Sequence, residues 1–223
     1  MMAPRLEKVT LPQYTRGEER LNVCSHLVGV VLGICILRDS LALSHRGGDP
    51  FAVAASWIYG LSMILLYAMS SLYHALPSGN ARKLMRIVDH CTIYLLIAGT
   101  YTPILSAAVR PLHPRLARAV LGSEWGLGLL AAVFTAIDLK KYSRLSMACY
   151  IAMGWLVLVA LRATIEAVTL TGFWWLLAGG VAYTLGAVLY GAGKKRRWFH
   201  GVFHIFVLLG SILQAVCILR YAL

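Results

Sequence analysis

The chain has 223 residues, 59% of them hydrophobic and only 13% charged. A soluble domain carries roughly 25% charged residues, so this composition excludes an ordinary soluble protein and points to an integral membrane protein forming one bundle. The formal net charge of +12 could suit nucleic acid. The cations, however, fall in short patches between apolar segments, so they are read as topology signals and no nucleic-acid partner is expected.

In chain order, residues 1–20 are polar and lack the apolar core of a signal peptide, so the first span is expected to be retained. Residues 1–21 are assigned to a cytoplasmic tail and 22–223 to a membrane domain. Seven apolar segments follow, at 22–38, 51–75, 87–109, 117–138, 143–163, 170–192 and 199–222. Most reach the ~20 residues needed to cross a ~30 Å hydrocarbon core. Each must be helical there, because its backbone finds no water. The expected fold is an all-α, seven-transmembrane helix bundle with antiparallel sequential neighbours.

The tail and the loops after segments 2, 4 and 6 hold fourteen of the 21 Lys and Arg residues, including the run Lys194, Lys195, Arg196 and Arg197. This bias puts the N-terminus in the cytoplasm and the C-terminus outside. The five cysteines all lie in apolar segments with no CxxC pair, and read as packing residues without a disulfide. Pro103 is expected to kink the third helix, and Gly179, Gly180, Gly186 and Gly191 to permit close helix packing. Glu124, within the fourth helix, and Glu166, near the outer surface, carry no assigned role.

On this topology five of the seven histidines, His26, His74, His90, His200 and His204, fall in one shallow cytoplasmic slab; only His45 and His113 lie in outer loops. His200 and His204, four residues apart, share a helix face and can chelate one ion. His74 could add a third nitrogen, giving the donor set of a catalytic zinc site with an open position. Asp89 suits a carboxylate that holds the site's water, and Ser70, four residues before His74, could bond a ligand or that water. Blander readings stand beside these: Ser70 bonding a carbonyl of its own helix, and Asp89 pairing with Arg86.

The stretches EERLNVCSH (18–26), SSLYHALP (70–77), RIVDHCTIYLLIAGTYTPI (86–104) and FHGVFH (199–204) resemble the hemolysin III family. That family belongs with the progestin and adiponectin receptors and, more distantly, the alkaline ceramidases. The resemblance runs from about residue 17 to 222 and implies a short bacterial-type, seven-helix protein of the inner (plasma) membrane with zinc near its cytoplasmic side. It implies His74, His200 and His204 as ligands, with Asp89 and Ser70 beside them. His26, with Glu18, Glu19 and Asn22, matches a further motif to which it attaches no role.

The expected function is a Zn²⁺-dependent hydrolase acting on a membrane lipid amide or ester. The alternative is a non-enzymatic receptor, transport protein or pore-forming cytolysin with structural zinc.

Overall fold

The computed structural model describes residues 6–192 and 196–223, so Arg5, Lys194 and Lys195 of the cation pattern lie outside the described residues. The principal elements are α1 (Arg16–Gly47), α2 (Pro50–Ala75), α3 (Asn80–Pro103), α4 (Pro114–Ile137), α5 (Ser143–Gly154), α6 (Leu161–Ala192) and α7 (Phe199–Cys217). Among the described residues, six helical stretches are long and apolar enough to cross a membrane. The segments read as separate fifth and sixth spans form one of them, Ser143–Ala192, interrupted by a 3₁₀ turn at Leu156–Ala160 and by non-helical backbone at Thr169 (φ 64°, ψ 165°).

Local signals explain the ends. Thr15 opens α1 with a capping box: its hydroxyl accepts the Glu18 N–H, and the Glu18 carboxylate accepts the Thr15 N–H at 2.9 Å. α1 therefore begins several residues ahead of the expected apolar segment. Asp49 caps α2 through the Phe51 N–H, with Pro50 in the first turn. After Pro103, α3 widens into a π-helical stretch, Ile104–Val109, which is the irregularity expected at that proline.

α1 packs on α2, α2 on α3, α3 on α4 and α6 on α7, while α7 also packs on α1 and closes the ring. The stretch Asn80–Leu112, which begins with α3, is central: 67% of its most apolar part is buried, against 28% for α1 and α4. Side chains such as Val28, Val31, Leu129 and Val133 point outward, as helices in lipid require.

Helix approach is closest where side chains are smallest. A Cβ on Gly179 would lie 2.9 Å from the Gly210 carbonyl, and one on Gly29 2.3 Å from the Tyr67 ring. Tyr67 cannot yield easily, because its hydroxyl is 2.6 Å from Ser211 Oγ on α7. Gly29→Ala should therefore cost about 1–3 kcal/mol by overpacking. Gly126→Ala, with nothing within 4 Å of the new atom, should be neutral or slightly stabilising; thermal unfolding in detergent compares the two.

Candidate metal centre

The histidines expected to share one shallow slab meet at one end of the bundle. His74, in the last turn of α2, and His200 and His204, in the first turns of α7, place one ring nitrogen each within 4.8 Å of the others. His200 Nε2 is 3.1 Å from His74 Nε2 and 3.1 Å from His204 Nε2. His74 and His204 are buried and His200 nearly so.

The outer nitrogens set the tautomers. His74 Nδ1 lies 2.7 Å from Glu19 Oε2 and donates to it. Glu19 is also paired with Arg82. His204 Nδ1 faces the backbone carbonyl of Asn22 at 3.4 Å and the Ser25 hydroxyl at 3.5 Å, and donates to the carbonyl. Protons on both Nδ1 atoms leave both Nε2 atoms as acceptors. A neutral His200 can donate its single proton to only one of them, so at least one Nε2 lone pair is left without a proton and crowded against the other nitrogens. A cation relieves that crowding. Tetrahedral zinc with bonds of about 2.0–2.1 Å would hold its nitrogens roughly 3.3 Å apart, close to the two 3.1 Å separations, so the group could hold a metal ion of that size. His200 Nδ1 has no hydrogen-bond partner among the described residues.

Asp89 and Ser70 face each other across α3 and α2 and line the same cavity as His200 and His204. Asp89 does not pair with Arg86; its nearest cation-capable partner is His90 Nδ1 at 3.6 Å, while Arg86 donates to the Thr10 carbonyl. The cavity, of about 160 Å³, is polar at this end and runs between α3, α6 and α7 past Ile97, Leu176 and Val207 to Gln214. His45 and His113 are remote, bonded to the Leu41 carbonyl and to Glu166 at 2.9 Å. Glu124 is fully buried, with neither oxygen paired among the described residues, and does not line the cavity.

Three contributions escaped sequence reasoning. Glu19 orients His74, Asn22 orients His204, and Tyr14 stacks over His200 at 5.0 Å and 15°. Burial pushes the Tyr14 hydroxyl well above the ordinary phenol value. A signal for Glu19 existed: Glu19, Asn22 and His26 are spaced i, i+3, i+7 on one face of α1, whereas the Asn22 contact to His204 runs through the backbone and needs no particular side chain. Nothing in the sequence marks Tyr14.

The fold and site define a multi-pass helical membrane protein with a buried three-histidine cluster at one end. A family model described as "Haemolysin-III related" matches residues 14–215. The chain is 38% identical over 217 residues to hemolysin-3 of Bacillus cereus, covering 97% of each protein. It is 35% identical over 208 residues to the hemolysin-3 homolog of Bacillus subtilis, covering 93% of this chain and 96% of that one. Similarity extends at 27% over 194 residues to the human monocyte to macrophage differentiation factor, covering 81% and 76%. The chain belongs to the haemolysin-III family and is a multi-pass protein of the plasma membrane.

A carboxylate behind a metal-binding histidine typically contributes 10–100-fold in metal affinity. Glu19→Ala should lower the cluster's affinity for Zn²⁺ by that factor in competition with a chelator, and Glu19→Gln, which keeps an acceptor oxygen, by less.

Proposed function

We propose that the protein is a zinc-dependent hydrolase of a membrane lipid amide or ester, with His74, His200 and His204 as the metal ligands. The observation that carries the reading is the continuity of the three-histidine cluster, Asp89 and Ser70 with an apolar cavity inside the bundle. An acyl chain would occupy the apolar part, with its carbonyl at the polar end. Zinc held there would supply Lewis acidity, sharpening the acidity of water and polarising the carbonyl.

The chain's own residues do the rest. Asp89, with 13% of its side chain exposed, holds the attacking water and takes its proton as general base. Ser70, 1% exposed and facing Asp89, orients that carboxylate or donates to the oxygen that gains charge. The proton on Asp89 then passes to the leaving amine or alcohol. Glu19 and Asn22 keep the His74 and His204 rings in the tautomer that leaves Nε2 free. The apolar wall admits a chain and excludes bulk water.

The same reading takes Ser143–Ala192 as two crossings, making seven in all, with the N-terminus cytoplasmic. Fifty residues of helix would extend about 75 Å, more than twice a ~30 Å core. The His113–Glu166 pair supports a turn near residue 166, at the same end as the α3–α4 connection. A reporter fused after Leu223 should then read as outside the cytoplasm; a cytoplasmic reading removes the seventh crossing.

The catalytic claim is tested on purified protein, with zinc per chain and turnover of a lipid amide and ester panel measured together. Alanine at His74, His200 or His204 should each reduce bound zinc and lower the melting temperature, whereas alanine at His45 or His113 should do neither. Asp89→Asn should keep the zinc and lose roughly 10²–10⁴-fold in rate. Stoichiometric zinc with no turnover on any lipid would overturn the hydrolase reading and leave a metal-stapled, non-enzymatic membrane protein.

A further inference from the structure

His26 is a buried imidazole that the mechanism does not use. It sits on α1, 3% exposed, and lines the cavity together with Ser70, Asp89, His200 and His204. Neither ring nitrogen has a hydrogen-bond partner among the described residues. A neutral imidazole carries one donor and one acceptor, and burying both unpaired is unfavourable.

The ring is nevertheless held firmly. It stacks on His204 with centroids 3.7 Å apart and planes 12° from parallel, and the Tyr67 ring meets it nearly edge-on at 5.1 Å. Tyr67 is itself fixed by Ser211 and fitted against Gly29. Packing thus fixes the position of a polar ring whose hydrogen bonds the described residues leave unmade, in the wall of a cavity.

We propose that His26 is a ligand-binding residue. Its imidazole hydrogen-bonds the polar group of a lipid, an amide or hydroxyl neighbouring the carbonyl, whose chain occupies the cavity. One ring spacing separates it from His204, so it would contact the atoms next to a carbonyl placed at the histidine cluster. The inference rests on the proposal above only in taking a lipid as the cavity's occupant; it requires neither metal nor turnover.

The experiment measures binding of two probes to the protein as purified in detergent: a long-chain secondary amide and an alkane of equal length. The wild type should prefer the amide. His26→Phe keeps an aromatic ring against His204 and removes both nitrogens, so it should lose roughly tenfold in amide affinity and leave alkane affinity unchanged. His26→Gln, which restores a donor and an acceptor, should recover part of the preference and serves if the Phe variant does not fold. An unchanged amide preference in the folded variants overturns the role of His26 even if lipid hydrolysis has been measured. If the wild type binds neither probe, the cavity is not a lipid site and the inference falls. An amide preference that depends on His26 stands even if no lipid is ever hydrolysed.

Discussion

Polar groups inside a membrane bundle must find partners within the protein, and here that constraint gathers α1, α2 and α7 at one end. Glu19 on α1 reaches His74 on α2; the Asn22 carbonyl faces His204 on α7; Glu18 accepts the Trp198 N–H at 2.8 Å where α7 is about to begin. Interhelical hydrogen bonds in membranes average only about 0.6 kcal/mol. Such ties do not hold the bundle up. Close packing does that, at contacts such as Gly29 on Tyr67 and Gly179 on Gly210. What the polar ties set is register: they fix which turn of α7 lies opposite which turn of α2, and so whether the Nε2 atoms meet.

The cavity depends on helices that are not regular. α3 loosens into a π-helical stretch after Pro103, and the chain between α5 and α6 tightens into a 3₁₀ turn. Breaks in the regular helical ladder leave backbone groups that need other partners, and in lipid an unmet group is costly. Tyr101 meets part of that need: its hydroxyl donates to the Gly154 carbonyl at 3.2 Å and accepts the Val157 N–H at 2.8 Å. The residue that closes this break also lines the cavity. Space in the bundle is thus a product of helix breaks whose backbone groups have been satisfied again.

The parts legible in the sequence were those with short-range signatures. Apolar length marked the helical segments, the i, i+4 spacing put His200 and His204 on one face, and the distribution of histidines along successive segments anticipated that His74 would join them. The α5–α6 region was harder. The stretch between the two expected segments, 164–169, carries no proline or glycine and reads as easily as helix as it does as a turn. The structure continues helically through most of it and breaks at Thr169. Pairings across long separations were not legible. Arg86 has Asp89 three residues away on its own helix, yet bonds the Thr10 carbonyl from the N-terminal segment. Glu19 takes His74 and Arg82, more than 50 positions along. Such choices depend on which helices become neighbours, and no local pattern encodes that.

The placement of the site at one end of the bundle follows from conflicting demands. Deep in the hydrocarbon, four imidazoles and two carboxylates would each carry a large desolvation cost. Fully in water, the histidines would be solvated and the field around a bound cation screened. At the bundle end the cluster is covered on its outer side by Tyr14 and opens inward on an apolar cavity. The N-terminal segment is part of that cover rather than a loose tail: Val9 is buried, the Thr10 carbonyl is bound by Arg86, and Thr15 locks into the first turn of α1. The polar cluster thus has an aromatic ring on one side and an apolar cavity on the other. The same arrangement suits a molecule that is itself polar at one end and apolar along its length.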